Sequence, residues 1–154
     1  MERLSKEEAL ELLENQPVAH LGVIRDGRPY VTPMSFVFDG DVILFRTMAG
    51  VKLEAIEANP SVCIEVSSYD EVSGDWVSAI VSGEASEVLD DEVRAKTTSL
   101  LFNKYADVLG SPLSHGGGMR PLQGFPHVIQ VVIEDVSGMS SGNAWSARTR
   151  PGRL

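Results

Sequence analysis

The chain has 154 residues, 43% of them hydrophobic, which predicts one domain with an ordinary apolar core rather than a disordered segment. Its formal net charge of −9 disfavours nucleic acid and anionic membrane surfaces as partners, because the overall field repels both. Its single cysteine, Cys63, excludes an internal disulfide and a cysteine-based zinc site, and we expect it to be a small buried apolar residue.

The N-terminal third of the chain predicts a helix followed by three antiparallel strands. Ser5 and Glu8 have the spacing of a capping box, and an apolar stripe follows them. Beyond Pro17 the pattern becomes β-rich, with two Asp-Gly turns between the runs. The predicted strands of this meander cover residues 18–24, 30–38 and 42–45.

The middle of the chain returns to helical spacing and then to strands. Residues 51–58 predict a short helix that ends at Asn59, because a residue before proline disfavours the α region. A fourth strand is predicted over residues 61–66 and a long fifth one over residues 76–88. Gly83 lies inside the long strand, where glycine often marks a bulge.

The C-terminal third predicts a longer helix over residues 90–108 and a last strand over residues 127–134. Between them, residues 110–126 are rich in glycine and proline and predict a loop, which is a candidate lid. No strand–helix–strand unit of the parallel kind recurs, so the order of elements favours an antiparallel barrel with peripheral helices. We expect one domain over residues 1–140 and a flexible tail over residues 141–154.

No stretch of the chain approaches the ~20 apolar residues that a membrane span requires. The opening residues are rich in Glu and Lys and contain no apolar core of a signal peptide. The sequence therefore predicts a soluble, cytoplasmic protein with no membrane partner.

The stretch at residues 45–52 joins the end of a predicted strand to the start of a helix. Helix N-termini carry unpaired N–H groups and a positive dipole end, so such a junction suits a phosphate. Arg46 can offer a planar pair of donors, Thr47 a hydroxyl and Lys52 a point charge. Gly50 allows close approach of the backbone. The alternative is that Arg46 and Lys52 only solvate a surface turn.

Segments at residues 26–36, 45–60 and 78–85 resemble, in the same order, core segments of the pyridoxamine-phosphate-oxidase-like flavin-binding split barrels. The resemblance covers residues 4–138 and is closest to the nitroimidazole-resistance reductases. It implies an all-β fold with peripheral helices, namely an antiparallel, Greek-key split β-barrel of the FMN-binding type. It also implies a homodimer, because this fold binds flavins between two identical subunits.

The resemblance assigns roles to particular residues. Phe45, Arg46 and Thr47 approach the ribityl phosphate, Lys52 pairs with it, and Ser78 contacts the flavin from a neighbouring strand. Val51 stands where the oxidases of the family carry a second basic residue, and their C-terminal substrate-binding Arg and His are not evident. Pyridoxamine phosphate oxidation is therefore not predicted. The backbone that lines the flavin ring is that of Val31, Thr32, Pro33, Met34 and Ser35.

The leading hypothesis is an FMN-dependent oxidoreductase that moves reducing equivalents from a small-molecule donor to a small, flat organic acceptor. The rivals are a deazaflavin-dependent reductase on the same fold and a flavin- or haem-binding protein without turnover. No catalytic acid or base is assigned. His20, His115 and His127 are too scattered for a metal motif, and His20 is expected to be structural. Trp76 and Trp145 are expected to pack rather than to stack on a ligand.

Overall fold

The computed structural model describes residues 1–106 and 126–142. Three helices, named α1 to α3, lie around a sheet of eight strands, named β1 to β8. The helices are α1 (Lys6–Asn15), α2 (Val51–Ala58) and α3 (Asp91–Tyr105). The strands are β1 (Glu2–Arg3), β2 (Ala19–Arg25), β3 (Arg28–Met34), β4 (Val37–Asp39), β5 (Val42–Thr47), β6 (Ser61–Tyr69), β7 (Trp76–Glu87) and β8 (His127–Ser140).

The strands form one antiparallel sheet in the order β3-β2-β6-β7-β8-β5-β4, and the short β1 pairs with β8. The two strands at the ends of this order, β3 and β4, follow each other directly in the chain. The sheet therefore curls until its two edges lie near each other without pairing. This is a split β-barrel with peripheral helices, which confirms the predicted fold class.

The prediction of a single strand over residues 30–38, and with it a three-stranded meander, is wrong. The chain leaves β3 after Met34 and re-enters the sheet at Val37 on the opposite side of the split. The reason lies far away in sequence, because the N–H of Phe36 donates to the hydroxyl of Tyr105 at 3.0 Å instead of to a strand.

Helix α1 begins with the predicted capping box. The N–H of Glu8 donates to Oγ of Ser5 at 3.2 Å, and the N–H of Ser5 donates to a carboxylate oxygen of Glu8 at 2.8 Å. These bonds satisfy two backbone donors at the helix start. Further along the helix, Leu12 and Leu13 are buried in the barrel core.

Two apolar clusters hold the fold together. The main core fills the barrel with alternate residues of the strands and is covered by α1 and by Leu53 and Ile56 of α2. The smaller cluster lies on the outside of β5, where Leu44 and Val128 pack against Leu101 of α3. Alternate residues of β5 thus face two different apolar clusters.

The long strand β7 contains the predicted irregularity at Gly83. The register against β8 shifts between Ser82 and Gly83. A Cβ at Gly83 would lie 2.3 Å from the carbonyl oxygen of Val132, so only glycine lets the two backbones approach this closely. Strand β8 continues six residues past its predicted end at Glu134, to Ser140, because β7 pairs with it along that whole length.

The expectation that Cys63 is buried is wrong. Its neighbours Val62 and Ile64 face the core, so strand alternation turns Cys63 to the outside of the barrel, where it is exposed. Its sulfur lies beside Gly22 of β2, where a Cβ would come within 2.6 Å of it.

Some sequence predictions lie outside the described residues. These are the loop at residues 110–126, apart from Pro126, the end of the predicted helix at Val108, His115, Trp145 and the tail from residue 143. Within residues 1–106 and 126–142, no helix combines the length and the apolar character that crossing a membrane would need.

Candidate functional site

The junction between β5 and α2 presents backbone donors to a ligand. Gly50, the N-cap of α2, has φ 153° and ψ −161°, a backbone region that is nearly restricted to glycine. No side chain among the described residues caps this helix end, and its first intrahelical bond runs from the N–H of Glu54 to the carbonyl of Gly50 at 3.0 Å. The N–H groups before Glu54 are therefore available to an anion.

Lys52 is the cation on the core side of this junction. Its Nζ lies 5.7 Å from the centroid of the Phe45 ring, and no carboxylate in the described part of the chain lies within 4.0 Å of it. Partial burial lowers the pKa of Lys52 because the charged form loses solvent. A bound anion would compensate this loss, so the side chain is suited to hold one.

The side chain of Arg46 extends from the same end of β5, but from the opposite face of the strand. Its Nη1 donates to Oγ1 of Thr98 on α3 at 2.7 Å, and this hydroxyl in turn donates to the carbonyl of Arg94 at 3.1 Å. Burial, and then the nearby charge of Arg94, lower the pKa of Arg46. A guanidinium stays protonated in proteins, so Arg46 remains a cation whose orientation is set by α3.

Phe45 and Thr47 lie on the inner face of β5. Phe45 is fully buried in the main core, and Thr47 is buried with its hydroxyl donating to the carbonyl of Met48 at 3.2 Å. Their side chains are thus occupied by packing and local bonding. Any contact that these two residues make with a ligand would come from their backbone.

The segment Val31 to Ser35 lies at the open edge of the barrel. Among the described residues, no strand pairs with the edge of β3 that faces away from β2, so its backbone groups are free to bind a ligand. Ser35 and Phe36 connect β3 to β4, whose first residue Val37 pairs with Leu44 of β5. The candidate ring-lining segment on β3 and the candidate phosphate-binding junction after β5 therefore lie on opposite sides of the split, and the chain crosses between them at Phe36.

Ser78 belongs to a polar row on the outer face of the sheet. Its hydroxyl donates to Oε1 of Glu65 at 3.0 Å, and Oε2 of Glu65 is bonded to Nδ1 of His20 at 3.0 Å. His20 is the register partner of Pro33, so this row adjoins the candidate ring-lining strand. Sequence analysis missed Glu65 and treated His20 as structural, although polar residues at every second position of β6 indicate an outward polar face.

Thr98 and Tyr105 are the other residues that sequence analysis missed here. Both lie on α3, and both contact residues of the candidate site or its immediate neighbours, Arg46 and Phe36 respectively. Their spacing of seven residues indicates one helix face, but nothing local shows what that face contacts.

Residues 1–106 and 126–142 contain no cluster of three or more His, Cys, Asp or Glu side chains that could hold a metal ion. Each of the two histidines in these ranges is instead paired with one carboxylate. His127 bonds to Glu87 at 2.6 Å and His20 to Glu65 at 3.0 Å.

The sequence matches a known family over most of its length. Residues 5–140 match the family model described as pyridoxamine 5'-phosphate oxidase. An uncharacterised protein of Rhizobium meliloti is 26% identical over 85 residues, which cover 55% of this chain and 56% of that protein. The match thus spans little more than half the length of this relative.

Several solved structures share the fold. An FAD-binding protein from Mesorhizobium loti is 26% identical, with a TM-score of 0.71 over 92% of this chain and 97% of that one. A candidate 5-nitroimidazole antibiotic resistance protein from Bacteroides thetaiotaomicron is 19% identical, with a TM-score of 0.69 over 90% and 87% of the two chains. An FAD- and haem-binding protein from Mycobacterium smegmatis is 18% identical, with a TM-score of 0.66 over 92% and 75%. These likenesses confirm the fold expected from the sequence.

Proposed function

Since the chain belongs to the pyridoxamine 5'-phosphate oxidase family, we propose that it is a flavin-dependent oxidoreductase that binds FMN. The observation that carries the proposal is the β5–α2 junction. There Gly50 is the N-cap of α2, no side chain caps the helix among the described residues, and the half-buried Lys52 lies in its first turn. A terminal phosphate fits this donor set, because it is a compact dianion that accepts from backbone N–H groups and cations together.

The residues of the site fit the two ends of the cofactor. Lys52 and the helix end would hold the phosphate, and Arg46 would add a second cation from the outer face of β5. The unpaired edge of β3 from Val31 to Ser35 would hold the flavin ring by backbone hydrogen bonds. When bound, the flavin supplies hydride or electron transfer, while the chain binds it, orients it and keeps water from its buried side.

FAD is the second candidate cofactor, because two of the related structures are of proteins named as binding FAD. A helix N-terminus with Lys52 beside it matches a compact terminal phosphate better than an internal diphosphate, which favours FMN. A deazaflavin coenzyme and a haem remain the rival chromophores, and a haem is named for one relative.

We also propose that the protein is a cytoplasmic homodimer whose second copy completes the flavin site. The outer face of the sheet supports this, since it exposes large apolar side chains on more than one strand. Val31 on β3 is 64% exposed and Ile80 on β7 is 47% exposed. A second copy of the chain would remove these side chains from water.

The first experiment is the absorption spectrum of the freshly purified protein, with mass spectrometry of the small molecule that denaturation releases. An oxidised-flavin spectrum with released FMN supports the proposal. Released FAD, deazaflavin or haem would replace FMN by that cofactor. Colourless protein that also fails to quench FMN fluorescence at micromolar concentration would refute flavin binding.

The Lys52→Met variant tests the phosphate site. We expect its Kd for FMN to rise about ten- to a hundredfold, since hydrogen bonds to charged groups contribute about 1.5–3 kcal/mol. Its Kd for riboflavin, which lacks the phosphate, should not change. Lys96→Met is the matched control, because Lys96 pairs with Asp39 at 2.9 Å instead of facing the junction. Equal losses for FMN and riboflavin would contradict the assignment of Lys52.

A further inference from the structure

Four residues of α3 form one stripe along the helix, at spacings of four, three and four residues. Leu101, in the middle of this stripe, packs into the smaller apolar cluster. The other three side chains are polar and form hydrogen bonds to distant parts of the chain. Arg94 donates to the carbonyls of Val88 at 3.3 Å and Pro126 at 2.6 Å, which fixes the start of the helix against β8. The stripe consists of Arg94, Thr98, Leu101 and Tyr105.

Thr98 fixes the orientation of Arg46. Its hydroxyl proton points to the carbonyl of Arg94, so the oxygen lone pairs are left to accept from Nη1 of Arg46 at 2.7 Å. This is a charge-assisted bond of short length, and it limits where the guanidinium can point.

The last turn of α3 holds Phe36 on two sides. The hydroxyl of Tyr105 accepts from the N–H of Phe36 at 3.0 Å and donates to the carbonyl of Pro17 at 2.7 Å. Nζ of Lys104 lies 3.6 Å from the centroid of the Phe36 ring. These contacts lie directly after Ser35, at the point where the chain crosses the split of the barrel.

We propose that Thr98 and Tyr105 are positioning residues of the flavin site, with Thr98 orienting the phosphate-binding Arg46 and Tyr105 setting the backbone of the ring-lining segment that ends at Ser35. The inference rests on the proposed flavin site. It goes further, because it assigns to α3 the positioning of both the phosphate end and the ring end of the cofactor site. The two residues lie two helical turns apart, about 10 Å along the axis.

Two variants separate the two ends of the site. Thr98→Val removes the hydroxyl that accepts from Nη1 of Arg46 and should raise the Kd for FMN about tenfold while leaving the Kd for riboflavin unchanged. Tyr105→Phe removes only the hydroxyl and should raise both Kd values by a similar factor. It should also speed hydrogen exchange of the Phe36 amide in the flavin-free protein, because this N–H loses the hydroxyl to which it donates.

Thr97→Val is the control for a purely structural effect. Thr97 is fully buried, and its hydroxyl donates to the carbonyl of Val93 at 2.8 Å within the same helix. Its loss should lower the midpoint of urea unfolding without changing either Kd. The Thr98→Val comparison of FMN with riboflavin is sufficient by itself if Tyr105→Phe does not fold.

The outcomes are distinct. If wild-type protein binds neither flavin, the proposed function fails and the inference fails with it. If wild-type protein binds both flavins and Thr98→Val and Tyr105→Phe bind them with unchanged Kd values, the inference alone is overturned. Equal effects of Thr97→Val and Thr98→Val on FMN binding would also overturn it, because stability alone would then explain the loss.

Discussion

At the scale of single residues, Gly50 is required by its backbone angles and not by lack of space. Nothing lies within 4 Å of where its Cβ would be. We therefore expect Gly50→Ala to lower the free energy of unfolding by about 1–3 kcal/mol, the usual cost of a residue held in a sparsely populated region. Urea unfolding followed by circular dichroism would measure this change.

Gly74→Ala separates the cost in stability from an effect on the site. Gly74 has a positive φ of 76° in the turn between β6 and β7, and it also has nothing within 4 Å of a Cβ. Both substitutions should destabilise the fold, but only Gly50→Ala should weaken FMN binding. A Gly50→Ala protein with wild-type FMN affinity would show that the α2 N-terminus does not bind the phosphate.

Lys104 predicts an unusual dependence of stability on pH. Within the described part of the chain its Nζ is buried without a hydrogen-bond partner, and burial lowers its pKa from 10.5 to about 8, against an opposing effect of Glu14. Between these two pH values the unfolded chain binds a proton that the folded protein does not. The effect of Lys104 is therefore to increase the free energy of unfolding, and so the stability, as pH rises from about 8 to 10.5.

The Lys104→Met variant tests this sign. The difference in unfolding free energy between wild type and variant should increase in favour of wild type from pH 7 to pH 10, as measured by urea titrations. Tyr105, whose pKa is raised mainly by burial, is present in both proteins, so its effect cancels in the difference. Parallel pH profiles for the two proteins would rule out a perturbed Lys104.

At the scale of elements, the bulge in β7 decides how closely β7 and β8 pack. A Cβ at Gly83 would lie 2.3 Å from a backbone oxygen of β8 and 2.9 Å from Cγ1 of Val131. Since backbone atoms cannot rotate away, Gly83→Ala should cost about 2–3 kcal/mol of stability. The exposed neighbour Ser82→Ala serves as the control, and a Gly83→Ala protein as stable as that control would contradict the close approach.

At the scale of the whole molecule, the exposed outer face predicts self-association. Ile80→Lys places a charge among the side chains that a second copy would cover, so we expect sedimentation velocity to show a monomer where wild type is a dimer. FMN affinity should fall at the same time. Val72→Lys adds the same charge at a turn residue that is 97% exposed and should leave the dimer intact. A wild-type monomer would refute the proposed dimer, and a dimeric Ile80→Lys protein would refute the assignment of this face to its interface.

The sequence by itself determined the elements whose signals are local. The capping box of Ser5 and Glu8, the helix between Gly50 and Asn59, and the bulge at Gly83 were all predicted and confirmed, because each depends on residues within a few positions of one another. The strand-to-helix junction that we propose as the phosphate site is of the same local kind.

Only the tertiary structure decided the features that depend on partners far along the chain. The break at Phe36 follows from a hydrogen bond to Tyr105, 69 residues away, and β8 extends to Ser140 because β7 continues beside it. The outward position of Cys63 and Glu65 follows from which face of β6 meets the core. The physical reason is that backbone propensity acts between neighbours, whereas burial and hydrogen-bond partners are fixed only when the barrel closes.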